Sequence, residues 1–223
     1  MPTLEEIVKA EHDVLALETQ IAGCPPFVAA NDLDDVRTRP SILRYPHPAV
    51  VNPLAGAKGT AFVVDCASLK SKVLWVGTAN DEYRKDYLLF LNANYNLGLS
   101  SIPTKFDVDH LFNRSRAKAY SLQFIRVALV DFAANRSHGA AYEKDITINE
   151  AMRSRKTMYL MDEMSSMKYF GFLSPLRDDP RDSEINAYAT FAASRLGLNR
   201  AEVIKSIEYL RKTASTPWAR RNP

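Results

Sequence analysis

FDVDHLFNRSRA, residues 106–117, sets an acid beside an imidazole at Asp109 and His110, in a chain of 223 residues that has four histidines. KFDVDHLF (105–112) reads as a β-strand carrying that pair, and FIRVALVD (124–131) as a second strand. Asp131 can then cap a helix through FAANRSHGAAYEK (132–144), which places Asn135 close to its first turn. In strand, turn, strand, helix order, a side chain on the first strand and one near the helix start face each other across a narrow gap. An isolated Asp-His pair is ordinarily a surface pair or a satisfied core histidine, so its weight comes from this order of elements.

Outward from that centre, GTAFVVDC (59–66) and KVLWVG (72–77) read as a hairpin, and NDEYRKDYLLFLNANYNLG (80–98) as a helix with Asn80 as cap and Gly98 as stop. Thr3 with Glu6 is a capping-box pair that opens an N-terminal helix running to Gly23. From Cys24 to about Lys58, prolines at 25, 26, 40, 46, 48 and 53 break the periodicity and predict a long irregular arm. Thr147 with Glu150 opens a further helix through NEAMRSRKTMYLMDEMSSMKYF (149–170) to Gly171, whose methionines read as a core stripe rather than a ligand groove. SPLRDDPRDS (174–183) is a linker. EINAYATFAASRLGLNRAEVIKSIEYLRK (184–212) is a pair of amphipathic helices joined at LGLN, with Asn199 capping the second. A packing hairpin and a helix-turn-helix reader share that pattern, and packing is the plainer explanation. The expected organisation is an N-terminal helix and proline-rich arm over 1–58, an α+β core over 59–146, and a helical region over 147–223.

Hydrophobic residues at 46% and charged residues at 25% fit a globular chain that folds without a partner. Cys24 and Cys66 stand apart with no CxxC, which argues against a zinc ribbon or a disulfide framework. No apolar run approaches the roughly 18 residues of a membrane span, and the N-terminus is acidic and amphipathic. The expectation is a protein with no membrane partner, cytoplasmic or delivered by a route without an N-terminal signal. The net charge of +3 does not by itself point to nucleic acid, although NRSRAK (113–118) and WARRNP (218–223) concentrate the cations.

Asp109 and Asn135 both offer oxygen ligands, which suit a hard divalent ion that keeps waters and binds phosphate oxygens. His110, on the opposite face of its strand, is left free to take a proton from water. An ion that steadies a scissile phosphate, together with such a base, is an apparatus for phosphodiester hydrolysis.

DVDHLFNRSRA followed by IRVALVDFAANRSHGAAYEK resembles the HNH family of nucleases, the ββα-metal or His-Me finger fold, over residues 106–144. The resemblance implies an α+β fold with an HNH-like ββα-metal centre, the additional hairpin beside it and several helices around both. It implies Asp109 as metal ligand, His110 as general base and Asn135 as second metal ligand. Mg²⁺ is the expected ion, with Mn²⁺ and Zn²⁺ as alternatives. Asn113 stands where the family often has proline, Arg116 and Ala117 stand where it has paired glycines, and DFAAN replaces the usual CxxCN. His138, three residues after Asn135, is a candidate third ligand, and an exposed helix histidine is its plainer reading. Arg114 and Arg136 are candidates for stabilising transition-state charge. With Arg116 and Lys118 they are also candidate nucleic-acid contacts, and otherwise solvated charges. The function expected is a metal-dependent endonuclease on DNA rather than RNA, either a bacterial toxin or effector held in check by an immunity protein, or a phage, mobile-element or restriction enzyme. The alternative is a non-catalytic module that binds nucleic acid or protein on the same scaffold.

Overall fold

The run FIRVALVD is apolar at nearly every position, the pattern of a strand covered on both faces. It forms β6, Phe124–Asp131, and its six inner residues are buried. The chain's computed structural model describes residues 2–42, 49–66, 71–140, 158–175 and 182–219. The other strands are β1, Phe27–Ala30; β2, Val50–Pro53; β3, Ala61–Cys66; β4, Ser71–Gly77; β5, Phe106–His110; and β7, Met158–Leu160. The helices are α1, Leu4–Ala22; α2, Leu33–Ile42; α3, Tyr83–Tyr95; α4, Arg114–Ala119; α5, Phe132–Ala140; α6, Glu163–Tyr169; α7, Asp182–Phe191; and α8, Arg200–Ala219. A π-helical turn, Ala192–Leu196, continues α7.

The described strands make one antiparallel sheet in the order β2-β3-β4-β6-β1-β7, with β5 also paired to β6. Val127 faces Leu74 of β4 and His110 of β5, while Ile125 faces Val76 of β4 and Ala29 of β1. β5 and β1 therefore lie end to end along the edge of β6 opposite β4. Strands from residues before 59 and after 146 complete the sheet, so the central segment does not build it unaided. The architecture is mixed α+β around a curled sheet.

Two apolar layers sandwich it. On one side Leu74, Val108, Val127 and Leu129 pack against Tyr87, Phe90 and Leu91 of α3. On the other, Val28, Leu111 and Val130 meet Met161, Tyr169 and Leu15 of α1. Each fully buried Leu or Phe contributes about 1.5–3 kcal/mol. A third cluster joins Met164 and Met167 of α6 to Ile185, Tyr188, Val203 and Ile207 of the C-terminal helix pair. Met158, Met161, Met164 and Met167 are thus core, and the α7–α8 pair is packed against the last two.

Several expected elements differ. The segment 24–58 is not an irregular arm: β1, α2 and β2 lie within it, because Val28, Ala29 and Val51 find sheet partners that no local periodicity announces. The helix expected through 149–170 is broken, since Met158–Leu160 pairs with β1 and Asp162 then caps a short α6 through Ser165 N–H at 2.8 Å. Thr147 and Glu150 lie outside the described residues. α3 starts after Glu82 rather than Asn80 and ends at Asn96 in the left-handed conformation rather than at Gly98. The capping box of α1, the cap on α5 and the Asn199 cap are found as expected.

Asn80 instead ties β3 to α3. Its amide donates to the Thr60 carbonyl at 3.1 Å and to Asp86 at 2.8 Å, and its oxygen accepts the Glu82 N–H at 2.9 Å. A Cβ on Gly59 would run into that Asn80 side chain. Gly59→Ala is expected to cost about 1–3 kcal/mol by overpacking, read as a lowered urea midpoint. An unchanged midpoint would show that the Asn80 knot has slack.

Candidate functional site

β5, α4, β6 and α5 follow one another in the chain, and β5 pairs with β6 from Phe106 opposite Asp131 to His110 opposite Val127. Along β5 the alternation is regular: Phe106, Val108 and His110 are buried, and Asp107 and Asp109 are half-buried on the other face. Asp131 Oδ1 accepts the N–H groups of Ala133 and Ala134 at 2.9 and 3.0 Å, which fixes the start of α5. One turn later Asn135 donates its amide N–H to Asp107 Oδ2 at 2.9 Å. Asp107, Asp109 and Asn135 therefore gather on one side of the β5–α5 junction.

Asp109 has a partner from a distant part of the chain. Lys168, buried on α6, donates to Asp109 Oδ2 at 2.5 Å. Burial pushes the Asp109 carboxyl upward, but the Lys168 charge and hydrogen bond, helped by the His110 backbone N–H, leave it below the usual carboxylate range. It is a carboxylate at neutral pH.

His110 stands on the opposite face, its ring 4.3 Å from that of Tyr83 and its Nε2 buried without a hydrogen-bond partner. Burial lowers its pKa to about 4 against the attraction of Asp109, with Arg114, Lys168 and Arg84 also disfavouring the cation. The imidazole is neutral at pH 7. Burial raises the Tyr83 phenol, which also feels Arg84, Asp109 and Arg114. The two faces thus come within each other's field at the end of β5.

His138 is fully buried in α5 and is not the exposed histidine of the plainer reading. Its Nε2–H donates to the Phe172 carbonyl at 3.1 Å, and burial lowers its pKa to about 4. Beside it, Ser174 N–H donates to Ser137 Oγ at 2.9 Å, so this side of α5 is an anchor for the segment after α6.

The cations divide by role. Arg114 donates to the Thr78 carbonyl at 2.7 Å and to Asp81 at 2.5 Å, clamping α4 to the turn after β4. Arg116 pairs with Asp162 at 3.2 Å and lies 4.8 Å from the Phe112 ring centre. Lys118 and Arg136 are exposed, and Arg136 sits 4.9 Å over the ring of Phe132. Among the expected phosphate contacts, these last two face solvent.

The donors fit a hard ion in one respect that the fold itself provides. Asn135 gives its N–H to Asp107, which fixes the amide and leaves its oxygen as the group available to a ligand, the kind of orientation outer partners impose. Asp107, Asp109 and Asn135 are oxygen-bearing side chains, the donor type that Mg²⁺ takes together with water. Lys168 already neutralises one of the two carboxylates. Among the described residues no three His, Cys, Asp or Glu side chains converge, so an ion here would draw on Asn135 and on water.

Sequence reasoning passed over Asp107, Tyr83, Arg84 and Lys168. Asp107 had a signal, since it shares the period of Asp109 in FDVDH. Lys168 had none, being 59 residues from its partner. No protein-family model, no curated protein and no solved structure matches the chain.

Lys168→Met would leave the Asp109 carboxylate largely buried without its counter-charge, a loss expected to cost about 3–5 kcal/mol in urea unfolding. Asp109→Leu combined with Lys168→Met should recover much of it, whereas equal midpoints for wild type and Lys168→Met would contradict the pairing.

A pH dependence follows from the three imidazoles. His12, His110 and His138 each have a folded pKa of about 4 against an ordinary 6.5, and the main cause each time is burial. Between those values the unfolded chain binds protons the folded chain does not, so stability rises with pH from about 4 to 6.5. Glu11, raised to about 7 by burial, and Glu163, also raised by burial, act oppositely above their ordinary 4.5, but are two groups against three. The melting temperature should be higher at pH 7 than at pH 5. A flat or inverted profile would show that these imidazoles are not held neutral.

Proposed function

We propose that the chain is a metal-dependent phosphodiesterase of HNH type, cutting DNA at the junction of β5, β6 and α5. The observation that carries this reading is the strand–strand–helix order holding Asp107, Asp109 and Asn135 on one side of β5, with a neutral His110, whose Nε2 has no partner, on the other face of the same strand end. Asp109 and Asn135 would hold the ion, with Asp107 either joining them or fixing the amide. When bound, the ion supplies polarisation of the phosphodiester and charge stabilisation at the leaving oxygen.

The remaining chemistry belongs to the chain. His110 accepts a proton at Nε2 from the attacking water, whose oxygen bonds to phosphorus as the bond to the leaving sugar oxygen breaks. Its depressed pKa keeps it unprotonated, and the Tyr83 ring beside it shields it from bulk solvent. Lys168 holds Asp109 ionised and in place. The exposed Lys118 and Arg136 are suited to the phosphate backbone, whereas Arg114 and Arg116 act by fixing α4. His138 positions α5 rather than joining the donors.

A second reading has its own observation. A buried ammonium on Asp109 does electrostatically part of what a metal would do, which favours a scaffold that binds nucleic acid without cutting it.

Supercoiled plasmid with Mg²⁺, Mn²⁺ or EDTA separates the two. The hydrolase reading expects metal-dependent nicking, lowered at least about 100-fold by His110→Ala, the usual worth of a positioned base. Nicking by His110→Ala at the wild-type rate would remove His110 from the mechanism. Salt-sensitive binding with no product in either metal would favour the binding module.

A further inference from the structure

Beside the site, between α3 and the start of β5, lies a groove of about 550 Å³, within the roughly 300–1,000 Å³ typical of small-molecule sites. Its walls are Leu88, Ile102, Phe106 and Val108. Asp107, which holds Asn135, lines the same groove, as does Phe132. Phe132 is 41% exposed although it opens α5, and the Arg136 guanidinium lies 4.9 Å over its ring. Cations gather around it: Arg84 and Lys85 line the groove, Lys105 lies 5.3 Å from the Phe106 ring centre, and the Lys105 carbonyl accepts the Phe132 N–H. Lys85 is paired with Glu82, and Arg84, Lys105 and Arg136 stand against two acids, Asp107 and the Asp131 that caps α5 beside Phe132.

We infer that this groove is a subsite for one unpaired nucleotide flanking the scissile phosphate, its base lodged against the apolar walls and Phe132 and its phosphate held by Arg84 and Arg136. An exposed aromatic ring beside cations is the arrangement on which single-stranded nucleic acid stacks, and every base has a face to offer it. Apolar walls without a cationic rim would suit a hydrophobic ligand, and cations without walls would suit any phosphate. The combination selects a nucleotide. A base inside a duplex reaches such a slot only by leaving its stack, so the preferred substrate carries single-stranded or frayed DNA at the cut. The choice of nucleic acid rests on the hydrolase reading above, but binding is measurable without cleavage.

The test is fluorescence anisotropy in EDTA with a labelled single strand, a blunt duplex and the same duplex bearing a single-stranded overhang. Wild type should bind the single strand and the overhang at least about fivefold more tightly than the blunt duplex. Phe132→Ala should weaken single-strand binding roughly 5- to 100-fold, the range of one base–aromatic stack, and leave the blunt duplex unaffected. Phe132→Trp should retain binding and Phe132→Leu should not, which separates stacking from apolar packing. Circular dichroism melts of each variant exclude misfolding as the cause. No preference among the three DNAs, no binding of any of them, or equal binding by Phe132→Ala and wild type would overturn the subsite. Plasmid nicking with Phe132-independent binding would sink the subsite and spare the hydrolase, and Phe132-dependent binding without nicking would do the reverse.

Discussion

In β5 successive side chains must leave the sheet on opposite faces, and the candidate site is arranged around that constraint. Asp107 and Asp109 are thrown towards α5 and α6, where Asn135 and Lys168 meet them, while His110 is thrown towards α3 and Tyr83. Asp109 stays ionised because the Lys168 ammonium and the His110 backbone N–H face it. The imidazole stays neutral because apolar neighbours and like charges surround it. Two adjacent residues thereby stand in their basic forms at pH 7 with different charges, Asp109 anionic and His110 neutral. One register shift of β5 would exchange the two environments and remove the site.

That register is held by buried charge as well as by apolar packing. Arg126 on β6 is buried and pairs with Glu18 of α1 at 3.0 Å, while Glu11 of the same helix accepts from the Tyr87 hydroxyl of α3. α1 therefore connects the central strand to the helix that covers the His110 face. Lys168 does the same from the other side, linking α6 to β5. Such pairs are costly to break once one partner is removed, yet contribute little net stability compared with apolar replacements. Their value here lies in fixing which strand edge and which helix meet.

The elements that were legible in the sequence are those with a local signal. The capping box at Thr3, the β-branched runs of β3, β4 and β6, and Asp131 before α5 each carry their explanation within a few residues. What escaped depends on distant partners. β1 and β2 are four residues each and become strands only against β6, β7 and β3, and β7 interrupts a run whose methionine spacing resembles one long helix. The elements that carry the candidate site were legible to the same degree. Asp109, His110 and Asn135 could be placed by order of elements, whereas the Lys168 ammonium could not, because 59 residues separate it from Asp109. Arg114 and Arg116, phosphate contacts on the sequence reading, are engaged by the exposed Asp81 and by Asp162, acids far from them in the chain.

Lys168 also sets a condition on any ion. Asp107 and Asp109 carry two negative charges and Lys168 returns one, so a divalent cation would leave the junction net positive until a phosphate arrives. Ion and nucleic acid are then expected to bind together, each raising the affinity of the other. Counting bound Mn²⁺ by electron paramagnetic resonance, with and without a non-cleavable phosphorothioate oligonucleotide, tests this directly. One Mn²⁺ per chain that is tightened by the oligonucleotide and lost in Asp109→Asn is the predicted result. Mn²⁺ binding that is absent, or that is equal in wild type and Asp109→Asn, would contradict a metal site at the end of β5.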